Sequence, residues 1–127
     1  MRRLPPLALL AGILAGCGGG GDDEPGRTLS VEAGAPVPVS AKEYSFDPKT
    51  IIVASPGPVL FMLKNEGGLA HDLTVTKDGK ELGGVAAFAG RGKTKGGAVE
   101  LPPGEYEFVC SVGDHEQLGM KGKLRVR

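Results

Sequence analysis

The residues best suited to hold a metal ion lie in one short stretch near the end of the chain. It reads Cys110-Ser-Val-Gly-Asp-His115-Glu-Gln-Leu-Gly-Met120, so four residues separate the thiol from the imidazole and four more separate the imidazole from the thioether. The chain has one other histidine, His71, which lies upstream of this stretch. One thiolate, two imidazoles and a weak thioether are the donors of a mononuclear copper site.

The alternation of side chains in the flanking segments points two of these donors inward. Cys110 shares one face of a predicted strand with Tyr106 and Phe108, and His71 shares one face of another with Leu73. Buried polar groups need partners, and a metal ion between the two strand ends would satisfy both donors. Taken singly, each donor has an ordinary explanation, such as a buried cysteine acting as a small hydrophobe. The combination favours metal.

The segments that must position these donors read as short strands. From Thr28 onward no stretch keeps a helical period over three turns, and turn residues separate short apolar or alternating runs. About seven to eight strands predict an all-β fold, an antiparallel Greek-key β-sandwich. Residues 83–97 are rich in glycine, and their pattern does not distinguish a strand from a short helix.

Two proline-containing segments suggest more detail. Pro36 and Pro38 indicate an edge strand or a bulge, because proline cannot donate to a strand ladder. Residues 98–101 and 105–110, joined by Pro102-Pro103-Gly104, predict a hairpin-like pair of strands.

The N-terminal segment reads as an address and a tether. Two arginines precede an apolar run at residues 7–15, which is far shorter than the roughly 20 residues of a membrane-spanning helix. The run ends in Leu-Ala-Gly-Cys17, which resembles the bacterial lipobox, whose cysteine is acylated and becomes the mature N-terminus. We therefore predict a lipoprotein signal peptide at 1–16, a flexible glycine-rich and acidic tether at 17–27, and one domain at 28–127. The alternative is an ordinary secretory signal with a chance cysteine.

Charge and cysteine content exclude several classes of protein. The 15 basic and 15 acidic side chains give no net charge, so no basic surface indicates nucleic-acid binding. The two cysteines are too few for a four-cysteine zinc site. If Cys17 carries lipid, no disulfide can form, and the protein is exported and anchored at the extracytoplasmic face of the bacterial membrane, on the periplasmic side in a Gram-negative cell.

Three stretches make the domain resemble a cupredoxin, the type 1 copper fold of plastocyanin, azurin, amicyanin and auracyanin. They are residues 44–48, 63–71 and 101–122. The resemblance implies one copper ion per chain, with His71, Cys110 and His115 as equatorial ligands and Met120 as the axial ligand.

The sequence departs from the family pattern beside these ligands. The residue after the first histidine is commonly asparagine, whereas here it is Asp72, which we predict to hydrogen-bond the Ser111 region and to orient the ligand loops. The resemblance also places the ring edge of His115 near the surface. Leu69 and Leu118 would then belong to a face on which partners dock.

The resemblance implies a monomer that carries single electrons between redox partners at the outer face of the cytoplasmic membrane. Such partners are a cytochrome, an oxidase, or a photosynthetic or respiratory complex. The alternative function is extracytoplasmic copper binding or copper homeostasis, and a metal-free binding module would leave the Cys–His–Met loop unexplained. An enzyme is not expected, because copper nitrite reductases need a second domain and a second copper site.

Overall fold

The fold consists entirely of β-strands within the part of the chain that the structure describes. A computed structural model describes residues 26–127, so the predicted signal peptide, Cys17 and nearly all of the tether lie outside the described residues. Within residues 26–127 no helix is long and apolar enough to cross a membrane. The strands are β1 (Thr28–Val31), β2 (Pro36–Lys42), β3 (Ser45–Asp47), β4 (Thr50–Val53), β5 (Gly57–Asn65), β6 (His71–Lys77), β7 (Lys80–Phe88), β8 (Thr94–Leu101), β9 (Gly104–Val109) and β10 (Lys121–Val126).

The strands form two sheets that pack face to face. A six-stranded sheet has the order β1-β4-β10-β9-β6-β7, and a four-stranded sheet has the order β3-β2-β5-β8. The predicted all-β sandwich is confirmed. Two details differ, since the described residues form ten strands rather than seven or eight and both sheets are mixed. The pairs β1–β4, β4–β10 and β2–β5 are parallel. Side-chain alternation has the same period in both pairings, so it could not reveal strand direction.

The core lies between the two inner faces, which alternate with outward-facing residues along each strand. In β5, Val59 and Phe61 are buried, while Leu60 between them is exposed. In β10, Leu124 and Val126 are buried, as their alternation with basic residues predicts. The two inner faces therefore supply a continuous apolar core.

The proline residues of β2 lie where the strand has one neighbour. Pro36 and Pro38 pair with β5, whereas β3 pairs only with Ser40–Lys42. The proline-bearing half of β2 is therefore a local sheet edge, where a missing N–H breaks no ladder. The edge interpretation is right for this half of the strand.

The predicted hairpin of residues 98–110 is wrong. Strand β8 belongs to the four-stranded sheet and β9 to the six-stranded sheet, so the connection between them crosses from one layer to the other. Pro102 and Pro103 lack N–H groups, and Gly104 has a φ of 157°, a backbone conformation that glycine tolerates. The hydroxyl of Tyr106 donates to the carbonyl oxygen of Pro102 at 2.6 Å and fixes this crossing.

The glycine-rich segment 83–97 forms strands. Strand β7 ends at Phe88 and β8 begins at Thr94, with a short loop between them. The register of β7 against β6 shifts twice, which marks bulges in the pair. A β-carbon on Gly84 would collide with the backbone of Leu73, so the close approach of β7 to β6 requires glycine there.

Candidate metal centre

The pairing of β6 with β9 brings two donors to the same end of the sandwich. His71 is the first residue of β6, and Cys110 directly follows the last residue of β9. The two strands are antiparallel, with Thr74 opposite Val109, so the start of one lies beside the end of the other. The loop from Cys110 to the start of β10 then carries the remaining two donors.

The donor atoms of His71, Cys110 and His115 converge on one point. The sulfur of Cys110 lies 3.5 Å from Nδ1 of His115 and 3.9 Å from Nδ1 of His71. All three ligand atoms lie within 4.8 Å of one another, and all three side chains are buried. Donors bound at about 2.0–2.3 Å to one ion in a trigonal plane lie roughly 3.8 Å apart. The three residues therefore fit a single metal ion.

Met120 is fully buried and closes the loop that holds these donors. Its carbonyl oxygen accepts a hydrogen bond from the backbone N–H of Cys110 at 3.1 Å, and its own N–H donates to the carbonyl oxygen of His115 at 3.1 Å. With Met120 beside the thiolate and two imidazoles, the four residues are arranged as a type 1 copper site.

Backbone turns shape the loop from Cys110 to Met120. The N–H of His115 donates to the carbonyl of Val112 at 3.0 Å, and that of Leu118 donates to the carbonyl of Asp114 at 3.1 Å. Gly113 and Gly119 have φ angles of 50° and 105°, in the left-handed region that favours glycine. Backbone hydrogen bonds and two glycines thus set the path of the loop.

Asp72 and Ser111 link the two strand ends that bear ligands. One carboxylate oxygen, Oδ1, accepts the backbone N–H of Ser111 at 2.7 Å, and Oδ2 accepts the hydroxyl of the same residue. Asp72 follows His71 and Ser111 follows Cys110, so these bonds hold the histidine and the cysteine in register.

The turn between β2 and β3 contacts both histidines, and sequence reasoning assigned it no such role. Oε1 of Glu43 lies 3.2 Å from Nε2 of His71 and accepts the N–H of Leu69 at 2.8 Å. The Leu69 amide is the main cause that lowers the pKa of the Glu43 carboxyl below its ordinary value, and the hydrogen bond and charge of His71 lower it further. The next residue, Tyr44, packs edge-on against His115 with ring centroids 5.1 Å apart.

Only the tertiary packing could reveal these contacts. Glu43 and His71 are 28 residues apart in the chain, and neither the pattern nor the composition of the β2–β3 turn indicates that it folds over the donors. Tyr44 begins one of the stretches that resemble a cupredoxin, and this was the one available signal.

Asn65, at the end of β5, holds the loop that leads to His71. Its amide nitrogen donates to the carbonyls of Leu69 at 2.9 Å and Phe88 at 3.0 Å, and its oxygen accepts the N–H of Gly67 at 2.9 Å. The side chain is completely buried. Asn65 therefore connects β5, the loop that leads to His71 and the end of β7.

Burial controls the chemistry of the thiol. Desolvation raises the pKa of Cys110 above its ordinary value, and hydrogen bonds from the backbone of Asp72 and Val112 partly oppose this shift. The thiol is therefore protonated in the metal-free protein at neutral pH. A metal ion bound there must replace this proton, because the thiolate is the ligand.

Exposed apolar side chains surround the site, although His115 itself is buried. Tyr44, Leu69 and Leu118 are 38%, 45% and 51% exposed, whereas His115 is only 6% exposed. The expected position of the His115 ring edge near the surface therefore differs from the structure in one respect. The ring is almost completely covered, and Tyr44 packs against it.

A β-sandwich with this buried donor set at one end defines the cupredoxin class. The family model for copper binding proteins of the plastocyanin/azurin family matches residues 34–127. The chain belongs to this family, and copper is its metal. A search of curated proteins finds no match.

Solved structures show the same fold at low sequence identity. A reduced auracyanin from the photosynthetic bacterium Roseiflexus castenholzii is 20% identical, with a TM-score of 0.59 over 79% of this chain and 96% of that chain. An azurin from Methylomonas sp. strain J is 15% identical, with a TM-score of 0.64 over 75% and 99%. A copper-containing nitrite reductase from Thermus scotoductus is 24% identical, with a TM-score of 0.53 over 73% of this chain but only 22% of that chain. These likenesses concern the fold.

Proposed function

We propose that the protein carries single electrons between redox partners outside the cytoplasm. The observation that carries this proposal is the closed donor set, in which the thiol and both imidazoles are buried and held by backbone and side-chain hydrogen bonds. Bound copper supplies a one-electron couple between Cu(I) and Cu(II). Because the folded frame holds the donors in place, little has to move when the charge of the site changes.

Copper delivery is the second candidate, and the burial of the thiol speaks against it. Proteins that hand copper to others tend to use open sites rich in methionine and histidine. Here neither Cys110 nor Met120 has any exposed surface. Release of the metal would require the ligand loop to open, whereas an electron needs no such opening.

Membrane attachment through a lipid on Cys17 is part of the proposal. Strands β1, β4 and β10 run parallel, and β10 begins directly after Met120, so β1 also begins at the metal-bearing end. A tether of about 11 residues before Thr28 has a root-mean-square reach of roughly 18 Å. It would thus join the domain at the end that exchanges electrons. Mass spectrometry of the mature protein would show a diacylglycerol on Cys17, and an unmodified cysteine would exclude this anchor.

Docking is proposed to use the apolar face formed by Tyr44, Leu69 and Leu118. Each of these residues belongs to a segment that contacts a histidine ligand, and all three are exposed. The partner would be a redox protein with an apolar surface around its own cofactor. A small face of this kind suits transient association, and the flanking acidic residues Asp114 and Glu116 would help to select the partner.

The substitution Leu118→Asp tests this face. A carboxylate there would lose its hydration when the partner docks, so the rate of electron exchange with a c-type cytochrome should fall by about tenfold or more. Leu82→Asp is the matched control, since Leu82 is 39% exposed and lies toward the other end of β7. Stopped-flow absorbance measures both rates. Equal rates in the two variants, with intact copper spectra, would contradict docking at this face.

A further inference from the structure

We infer that Glu43 is a positioning residue that orients His71 toward copper and strengthens the hold of the site on Cu(II). Histidine can carry its proton on either ring nitrogen, and only the bare nitrogen can bind a metal. In the structure Nδ1 of His71 faces the sulfur of Cys110 at 3.9 Å, and Nε2 faces Oε1 of Glu43 at 3.2 Å. The carboxylate therefore keeps the proton on Nε2 and leaves Nδ1 free.

The loop between β5 and β6, which leads to His71, provides the contacts that hold the Glu43 carboxylate in place. The backbone N–H of Leu69 donates to the same Oε1 at 2.8 Å. Gly67 packs directly against the carboxylate, and a β-carbon at this position would lie 2.8 Å from Cδ of Glu43, with Oε1 still closer. The Leu69 amide thus binds the carboxylate, and the absence of a side chain at Gly67 leaves room for it beside His71.

The position of this carboxylate gives it an electrostatic effect on the site. His71 is completely buried, whereas the side chain of Glu43 is 33% exposed, so water hydrates the carboxylate from outside. A carboxylate behind a ligating imidazole raises the basicity of the imidazole, and this favours the more highly charged Cu(II). The inference rests on the copper site and not on the proposed electron-carrying function.

The variant Glu43→Gln separates the charge of this side chain from its shape. The Leu69 amide still requires an oxygen, so the glutamine should keep the hydrogen bond to His71 while the negative charge is lost. We expect the affinity for Cu(II) to fall by about 10- to 100-fold, with a smaller change for Cu(I). The reduction potential should rise accordingly, since a tenfold difference corresponds to about 59 mV for one electron. Chelator competition and voltammetry measure these quantities.

The variant Glu43→Ala has a readout that needs no copper. Nitrogen NMR of the metal-free protein should show the His71 proton on Nε2 in the native chain and in Glu43→Gln. In Glu43→Ala the proton should distribute between both ring nitrogens, because nothing then selects one of them.

Two glycine variants supply a matched pair. Gly67→Ala should reproduce the effects of Glu43→Ala, because the new methyl group displaces the carboxylate. Gly68→Ala should leave potential and tautomer unchanged, since its β-carbon meets only the guanidinium of Arg91 at 3.7 Å. The inference is overturned, and Glu43 is a purely structural residue, if Glu43→Gln leaves the Cu(II) affinity and the potential unaltered, Gly67→Ala leaves these and the tautomer unaltered, and both variants lower only the denaturation midpoint.

Discussion

Two carboxylates lie beside the donor set of the metal centre without belonging to it. Glu43 is hydrogen-bonded to His71, and Asp72 is hydrogen-bonded to Ser111, the neighbour of Cys110. The position of Asp72 was predictable, because it is adjacent to a donor and has the opposite strand parity. That of Glu43 was not, since no periodicity connects it to His71. Adjacent residues can thus be assigned from the sequence, whereas contacts that depend on tertiary packing cannot.

Replacing Asp72 by asparagine should raise the reduction potential. The substitution removes a negative charge close to the ligands, and at an effective dielectric constant of about 20 such a charge shifts the potential by roughly several tens of millivolts. Voltammetry measures the shift, and Ser111→Ala is the control that removes the hydroxyl but keeps the charge. A potential that changes equally in both variants would assign the effect to loop geometry instead of charge.

The strands that carry the metal donors are only partly predictable from the alternation of their side chains. Alternation along β6, β9 and β10 predicts which side chains point inward, and it predicts that His71 and Cys110 both point inward at strand ends. It does not predict which sheet a strand joins, and for this reason the β8–β9 connection was wrongly interpreted as a hairpin. The sheet that a strand joins depends on how the two layers pack, and the local sequence pattern of a strand does not indicate this packing.

Through the side chain of Asn65, β5 and the end of β7 stabilise the loop that leads to His71. Asn65→Ala should lower the free energy of unfolding by about 3 kcal/mol, because a part-buried carbonyl, a buried carbonyl and a buried N–H lose their partner. Urea denaturation of the metal-free protein measures this loss. The neighbouring Lys64→Ala should cost less than about 0.5 kcal/mol, since its ion pair with Glu66 is exposed. A similar loss in both variants would show that the Asn65 bonds do not stabilise the fold.

At the scale of the whole molecule, one sandwich carries its metal centre at one end. The sequence indicates a single all-β domain and its four donors, because these depend on composition, alternation and spacing within a short loop. It could not indicate the layer order, the parallel pairs or the β2–β3 turn over the histidines, because these arise when distant segments meet. The exposed residues Tyr44, Leu69 and Leu118 lie around this end, so docking and electron exchange are proposed to share one surface.

We expect Cys110 to bind copper as a thiolate in a type 1 site. The most direct test of this expectation is the visible spectrum of residues 18–127, which omit Cys17, after addition of one equivalent of Cu(II). We predict an intense blue thiolate-to-copper charge-transfer band in the native sequence and its complete loss in Cys110→Ser. A colourless one-to-one copper complex, or a band that persists in Cys110→Ser, would show that Cys110 is not the thiolate ligand of a type 1 site.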